Sequence, residues 1–319
     1  MKRDTVSRAR ITWQGTDTPL AGLLLSPALL LLFVFTYFPM FVAVRLSLYG
    51  GRRGPGPWIG LDNYREALTS PDFWMALRVT AYYVGGVVPA SLALGFVIAY
   101  GLHRVGPGRA LLRTCFFIPY ITSTVAAAMV WRALFNPRFG VANQVLTRLG
   151  LPAQRWLLEA RGVLHLLSGG WIPDDWGPSL ALCCVILFDI WHLSGFMVVV
   201  FLAALQSMPR ELEEAARLDG AGSFTLATRI VLPAVRPTLL FLAVAGVCKT
   251  LQSFNSIYAL TQGSAVLPET QSLIYYVYAQ FYEFGYWGYG SAVAVMLTAL
   301  IIVLTVLQFQ ALDAGRHAP

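Results

Sequence analysis

Apolar residues in this chain are gathered into long stretches that short polar segments separate. A membrane-spanning helix needs about 20 mostly apolar residues, and six stretches are long enough, the first beginning at Leu20. Pro27 and Pro39 lie inside that first stretch, where neighbouring helices can tolerate the kinks. The pattern predicts a transmembrane domain over 20–310 with six spans, at residues 20–46, 76–102, 110–135, 179–205, 237–262 and 289–310.

The composition supports a membrane protein. Of the 319 residues, 57% are apolar and only 12% are charged, and the mean hydropathy is +0.62. Soluble domains carry about 25% charged residues, so this chain lacks the charge to cover a soluble surface of its size, and the same numbers exclude intrinsic disorder. We therefore predict an all-α polytopic bundle with terminal tails at 1–19 and 311–319.

The charge distribution predicts on which side the tails lie. A net charge of +7 would suggest nucleic-acid binding in a soluble protein, but no long Lys/Arg run exists, and basic residues flanking spans explain the excess. Six spans place both termini on one side. If that side is the cytoplasm, the inner segments hold twelve basic residues and the longer outer segments hold ten. The higher density of basic residues in the inner segments predicts cytoplasmic termini. The lack of a long Lys/Arg run predicts that the chain has no nucleic-acid partner.

Two other features are structural in our interpretation. The cysteines lie inside apolar runs without metal-ligand spacing, which predicts small core residues and no metal site. The long outer loop 136–178 is predicted to contain a short amphipathic helix that lies at the membrane surface with one apolar face. That face consists of Val141, Val145, Leu146 and Leu149.

The inner loop 207–236 has the local signals of a short helix that stops abruptly. Ser207 can cap a helix and Pro209 suits its first turn. Glu213 and Arg217 form an i,i+4 pair in the better orientation. Gly220 suits a stop with positive φ, which glycine adopts without strain.

A second short helix fits from about Ser223 to Ile230, ended by Pro233. The loop is therefore predicted to fold as a helix, a glycine bend and a second helix, all in the cytoplasm.

Glu214-Ala215-Ala216 is followed after three residues by Gly220, and after nine more by Ile230-x-Leu232-Pro233. This spacing resembles the EAA signature of ABC importer membrane subunits. The segments GLDNYREALTSPDFWMALRVTAYY, FFIPY and FNPRFGVANQVL resemble the carbohydrate-uptake branch, and in particular its maltose/glycerol-phosphate F/A-type permease. The run Thr261-Gln-Gly-Ser-Ala departs from the Gly-Gly-Gly-Pro-like run often found there. The matching signature positions are Glu214, Ala215, Ala216, Asp219, Gly220, Ile230, Leu232 and Pro233.

The chemistry of docking explains why a signature needs these residue types. A projecting helix must enter a cleft of a separate ATPase, so alanines at 215 and 216 keep one face slim. A carboxylate at Glu214 can hold a basic residue of the partner in a charge-assisted contact. The alternative is a solvated helix–turn–helix with weak surface ion pairs, but the full spacing on this loop favours docking.

The resemblance implies a non-enzymatic permease subunit in a bacterial or archaeal inner membrane. It implies four further subunits: a second homologous permease, two ATP-binding-cassette ATPases and an extracytoplasmic solute-binding protein. ATP and Mg²⁺ are then used by the ATPases, and this chain binds no cofactor. The sequence has no GxxxxGK[ST] phosphate-binding loop of its own.

Polar residues inside the fourth and fifth spans are candidates for the solute path, because ionisable groups in membranes are costly. By resemblance, the expected cavity lining is His192, Leu193, Phe196, Gln252, Asn255 and Ser256. The alternative, which the sequence leaves open, is that these groups only join helices by hydrogen bonds. Lys249 and Asp189 can also pair with each other structurally.

Other functions receive less support. An intramembrane hydrolase would need a relay, but His192 and Ser194 point in nearly opposite directions on one helix. A secondary transporter would often show inverted repeats or broken helix pairs, which the sequence does not make evident. The solute itself stays open between saccharides, polyols and glycerol-3-phosphate, with amino acids or oxyanions as alternatives.

Overall fold

The computed structural model of the protein describes residues 17–106, 108–174, 176–261 and 267–313. The remaining parts of the predicted tails, and the departing run after Thr261, lie outside these ranges, and the predicted domain limits stay a prediction. The described chain is helical, with two isolated bridges, Tyr49–Trp58 and Gly162–Ser179, as its β-type pairings. In chain order the helices are α1 Asp17–Leu32, α2 Phe38–Leu46, α3 Asp62–Thr69, α4 Pro71–Arg104, α5 Arg109–Ile121, α6 Thr124–Leu134, α7 Val141–Arg148, α8 Val163–Leu167, α9 Leu180–Gln206, α10 Arg210–Leu218, α11 Ser223–Leu226, α12 Leu232–Ala234, α13 Arg236–Leu251, α14 Asn255–Thr261, α15 Leu267–Thr270, α16 Leu273–Tyr278 and α17 Trp287–Asp313, with π-helical turns at Phe33–Tyr37, Ala227–Val231 and Ala279–Glu283 and a 3-10 turn at Trp156–Leu158.

The apolar helices give the number of crossings that the sequence predicts. Four helical stretches in the described chain are each long and apolar enough to cross a membrane: Gly22–Leu46, Pro71–Arg104, Leu180–Gln206 and Trp287–Gln310. Two further pairs qualify only as bent units, α5 with α6 and α11–α12 with α13. The crossings number six when each pair is counted once, so the all-α, six-span bundle is confirmed as the fold class.

The centre of the bundle is α9, against which α4 and α5 pack. Its side chains Phe188, Met197 and Phe201 are completely buried, as expected for a helix that is apolar on every face. Gly195 allows the closest approach: a Cβ there would lie 2.5 Å from the carbonyl oxygen of Phe116 in α5. The hydroxyl of Ser179 caps the start of α9 by accepting from the backbone N–H of Leu182.

The third predicted span, 110–135, is not one helix. Thr122 and Ser123 have extended backbone, and α5 and α6 meet there at an angle of 93°. Pro119 weakens the preceding turn because it has no N–H to donate. The Thr122 hydroxyl donates to the Ile118 carbonyl at 2.7 Å, a local bond that competes with helix continuation.

The fifth predicted span, 237–262, is also interrupted. It begins close to the expected residue, at Arg236, but α13 ends at Leu251 and α14 starts only at Asn255. Before it, Pro233 does not end the second short helix, because proline is tolerated in the first turn of α12. The chain bends instead at Val235, by 74°.

Candidate functional site

A cavity of about 260 Å³ lies halfway along the two longest buried helices, α4 and α9. Residues from the middle of α4 and α9 meet there with the start of α6 and the end of α13, so the cavity lies near the centre of the membrane. Its lining residues are Tyr83, Val87, Thr124, Asp189, His192, Leu193, Lys249, Thr250, Gln252, Ser253, Phe254 and Asn255.

The break between α5 and α6 and the break between α13 and α14 both open onto this cavity. Gln252, Ser253 and Phe254 join α13 to α14, and Thr124 is the first residue after the α5–α6 break. Irregular backbone at membrane depth is tolerated only where it is covered by protein or lines a cavity. The breaks therefore bring backbone and side-chain polar groups to the wall of this cavity.

Hydrogen bonds fix part of the polar lining. The Tyr83 hydroxyl donates to Asp189 Oδ2 at 2.5 Å. Ser253 and Ser256 join their hydroxyls at 2.8 Å, and the Thr124 hydroxyl lies 3.4 Å from His192 Nε2. The buried carboxylate is thus held in place, as a polar group in the interior must be.

Four of the six residues predicted for the solute path line this cavity: His192, Leu193, Gln252 and Asn255. The other two lie elsewhere. Phe196 stacks on Tyr120 with ring centroids 5.2 Å apart, and Ser256 is fully buried behind Ser253. Their binding roles stay predictions.

Sequence reasoning did not place Tyr83 and Thr124 on the cavity, because both come from other helices. It also suggested a pair between Lys249 and Asp189, but the ion pairs within 4.0 Å among the described residues do not include these two groups. The Lys249 ammonium lies instead 4.0 Å from the ring centroid of Tyr120. The positions of Lys249 and Asp189 inside apolar stretches were the sequence signal that these two ionisable side chains face a cavity.

A second functional feature projects from one end of the bundle, where α10 follows α9. The helix begins at Arg210, directly after Pro209. The prediction that Ser207 caps it is wrong: Ser207 follows the last residue of α9, and its hydroxyl donates back to the Ala204 carbonyl at 2.8 Å. Ser207 thus serves the preceding helix and not the following one.

The predicted glycine stop is confirmed. Gly220 has φ +81°, and a Cβ there would meet open space. The N–H of Ala221 donates to the Ala216 carbonyl at 2.9 Å, and the N–H of Gly220 donates to the Arg217 carbonyl at 3.1 Å. These two bonds form a Schellman motif, which turns the chain sharply into α11.

Side-chain contacts attach α10 and α11 to the end of α4. Glu213 lies 3.5 Å from His103 in α4 and 3.5 Å from Arg217, the predicted i,i+4 pair. Arg104 covers the Tyr100 ring and donates to the Ser223 hydroxyl at 3.3 Å. The projecting segment is therefore held against α4 as well as continuing from α9.

The two signature alanines face different ways. Glu214 and Ala215 are exposed, whereas Ala216 is buried against the bundle. The expectation that both alanines lie on the slim docking face is therefore wrong for Ala216. Two large apolar side chains are exposed at the tip instead, Leu218 at 89% and Phe224 at 81%.

The loop at the opposite end contains the predicted short helix, α7. Val141 and Val145 on α7 and Leu149 directly after it are exposed, whereas Leu146 is half-buried. Farther along the loop, Glu159 accepts two hydrogen bonds from Arg161, at 2.8 and 2.9 Å. Hydrogen bonding to Arg161 holds the pKa of the Glu159 carboxyl below its usual value. Within the described ranges, His, Cys, Asp and Glu do not gather in threes that could hold a metal ion.

Sequence and fold comparisons agree with this geometry. Residues 91–316 match the family described as "Binding-protein-dependent transport system inner membrane component". The chain is 32% identical to a probable ABC transporter permease protein of Pyrococcus horikoshii over 92% of its own length and 96% of that protein. It is 29% identical to the trehalose/maltose transport system permease protein MalF of Thermococcus litoralis, over 91% of its own length and 92% of that protein.

Among solved structures, the fold resembles a chain in the crystal structure of a bacterial alginate ABC transporter in complex with an alginate pentasaccharide-bound periplasmic protein. The TM-score is 0.75 at 23% identity, over 92% of this chain and 93% of that chain. The bent crossings, the mid-membrane cavity and the projecting helix thus occur in a chain that belongs to the binding-protein-dependent transport system inner membrane component family, as an ABC importer permease of the carbohydrate-uptake type.

Proposed function

We propose that this chain forms one half of the membrane path of an ATP-driven importer for a carbohydrate or a related solute. The observation that carries the proposal is the cavity between α4 and α9, which combines hydrogen-bonding groups from two broken helices with a position halfway along the crossings. The similar proteins support the solute class, because their names refer to trehalose/maltose and alginate.

The proposed complex contains further subunits besides this chain. A second, homologous permease closes the other side of the path in the lipid bilayer. Two ATP-binding-cassette ATPases hydrolyse ATP with Mg²⁺ on the cytoplasmic side, and this chain supplies no cofactor and no catalytic group. A solute-binding protein delivers the solute outside. The similar alginate transporter, which was crystallised together with a pentasaccharide-bound periplasmic protein, supports this last partner.

The tip of the projecting segment is the surface we assign to the ATPase. Glu214 and Ala215 are exposed beside Leu218 and Phe224, so a carboxylate and two large apolar side chains share this end. Large apolar side chains with so much exposed surface are typical of a region that a partner covers. A contact between α10 and the ATPase requires α10 to be cytoplasmic, and with six crossings the proposal therefore assigns both termini to the cytoplasmic side.

Attachment to α4 explains how force reaches the cavity. Glu213 contacts His103 of α4, and α10 follows α9 after a short turn. Since α4 and α9 carry Tyr83, Asp189 and His192, a displacement of the tip moves two walls of the cavity together. ATP-driven closure would then turn the cavity outward, and hydrolysis would reopen it inward.

Two substitutions test the coupling. We expect Glu214→Ala to lower uptake and solute-stimulated ATPase activity at least tenfold, because it removes the exposed carboxylate of the docking surface. Gly220→Pro should do the same, since proline cannot adopt φ +81°. Uptake and ATPase activity are measured on the assembled importer in proteoliposomes, and membrane insertion should be unchanged.

The matched control is Glu211→Ala, which removes another exposed carboxylate from the first turn of the same helix. It should leave coupling intact. Normal uptake and normal stimulated ATPase activity in both test variants would contradict the proposed coupling. If the importer takes up an amino acid or an oxyanion and no sugar or polyol, the proposed solute class is contradicted, whereas the proposed coupling is unaffected.

A further inference from the structure

Lys249 is an unusual residue for this chain and for its position. Of the 23 Lys and Arg residues, only Lys2 and Lys249 are lysines. Lys249 lies two residues before the end of α13, at the break that opens onto the cavity. A lysine at membrane depth is costly and by default has a function.

Within 4.0 Å, the ion pairs among the described residues involve other groups than the ammonium of Lys249. Asp189, across the same cavity, interacts with this ammonium electrostatically but from beyond direct contact. The direct partner of the Asp189 carboxylate is the Tyr83 hydroxyl, which donates to its Oδ2. Lys249 Nζ lies over the Tyr120 ring, 4.0 Å from its centroid. A cation–π contact orients an ammonium but does not neutralise its charge.

The groups beside Lys249 suit a hydroxylated solute. Gln252 and Asn255 are exposed on the same wall, and the Thr124 hydroxyl is close by. These amides and the hydroxyl both donate and accept hydrogen bonds. A neutral sugar could use them but would leave the ammonium without a directly bonded anion once water is displaced, which is unfavourable. An anionic group would form a charge-assisted hydrogen bond with it.

We propose that Lys249 makes this permease selective for a solute that combines hydroxyl groups with one anionic group, a carboxylate, sulfonate or phosphate. This inference rests on the proposed transport function and narrows its solute class. The anionic group pairs with Lys249 Nζ beside Tyr120, while Gln252, Asn255 and Thr124 bind the neutral part. Lysine suits this role because its ammonium is a compact charge with three donors that can follow a moving solute.

Matched acidic and neutral probes test the proposal. We would measure equilibrium binding of galacturonate and galactose, as mono- and disaccharides, and of glycerol 3-phosphate and glycerol. The assembled importer is used without its solute-binding protein, so that only the permeases select. At least one acidic probe should bind ten times more tightly than its neutral counterpart. Lys249→Gln should abolish that preference, and Lys249→Arg should retain most of it.

The scarcity of lysine offers a second, independent measurement. An amine-reactive reagent can modify Lys249 and Lys2 of this chain, and mass spectrometry resolves the two peptides. An acidic probe that binds should slow modification of Lys249 at least fivefold while Lys2 reacts at an unchanged rate. The neutral probe should protect Lys249 much less.

The outcomes separate the inference from the function on which it rests. Equal binding of acidic and neutral probes, or an unchanged preference in Lys249→Gln, overturns the role of Lys249 and leaves carbohydrate transport standing. Loss of subunit assembly in Lys249→Gln shows a pairing with the second permease and also overturns it. If none of the sugar or polyol probes binds, the proposed solute class fails and the inference fails with it.

Discussion

Two crossings of this protein have the same hydropathy and opposite surroundings. Gly22–Leu46 and Leu180–Gln206 each reach a mean hydropathy of 2.2, yet 61% of the apolar window of the second is buried in the chain and none of the first is. Leu24 and Phe35 in the first are more than 70% exposed, whereas Phe188 and Phe201 in the second are fully buried.

The difference teaches what hydropathy measures in a membrane. Lipid tails are as apolar as leucine, so an apolar surface gains little by leaving lipid for protein. Close packing at small residues and polar contacts decide which helix becomes the centre. The helix α9 has both, in Gly195 and Asp189. In the crossing Gly22–Leu46, the last part, α2, packs on α17.

The largest contrast is expected from one substitution made in both crossings. Gly195→Ala should destabilise the folded chain by about 1–3 kcal/mol, because the new Cβ would lie 2.5 Å from the Phe116 carbonyl oxygen. Gly22→Ala should be neutral or stabilise by up to about 1 kcal/mol, since nothing lies within 4 Å of its Cβ. Unfolding in detergent measures both, and equal effects would refute the distinction.

The polar contact between α4 and α9 gives the second contrast. Tyr83→Phe removes the hydroxyl that donates to Asp189 at 2.5 Å and should cost about 1–3 kcal/mol, because a buried carboxylate loses a partner. The neighbouring Tyr82→Phe is the control. Tyr82 is 36% exposed, and its change should stay within about 0.5 kcal/mol. The same unfolding measurement would show whether the two differ.

The smallest effect is expected at the loop that holds the start of α9. The backbone carbonyls of Glu159 and Arg161 accept from Ala181 and Leu180 of α9. Arg161 lowers the pKa of the Glu159 carboxyl in the folded chain. The pair therefore stabilises the folded chain at pH values above the pKa that Glu159 has in the unfolded chain. This stabilisation is lost as the pH falls through the pKa of Glu159 in the folded chain. The contribution should therefore be constant near neutral pH, begin to fall near about pH 4.5 and be lost only when the pH is below the lowered pKa.

Arg161→Gln should remove this pH dependence and leave the neutral-pH stability slightly reduced. Arg161 is 52% exposed, so solvent screening makes the change smaller than either contrast above. Thermal unfolding between about pH 7 and about pH 2.5 measures it, because this range extends below the lowered pKa of Glu159. A variant that keeps the full acid sensitivity of the wild type would show that other carboxylates cause it.

The sequence predicted most helices and missed the interruptions that build the cavity. The stretch over 110–135 is apolar throughout, and its break at Thr122–Ser123 depends on two residues with ordinary side chains. Broken helix pairs were not evident in the sequence, yet the structure has two bent pairs and a further break at Gln252–Phe254. Hydropathy averages over about 20 residues and cannot resolve a break of two or three.

The projecting segment was easier to predict because its conformation depends on near neighbours. Gly220 has the expected positive φ, and Glu213 pairs with Arg217 as their spacing indicates. Ser207 and Ala216 were misassigned because their partners depend on where α9 ends and on which side of α10 meets the bundle.

By itself the sequence determined the apolar crossings, the all-α class, the signature loop and the family, since each is carried by composition or by spacing within one segment. Only the tertiary structure decided that α9 is the core and Gly22–Leu46 is not. It also decided that His192 and Gln252 line one cavity while Phe196 does not, and that the ammonium of Lys249 contacts the Tyr120 ring. These relations join residues far apart in the chain, and packing between helices fixes them.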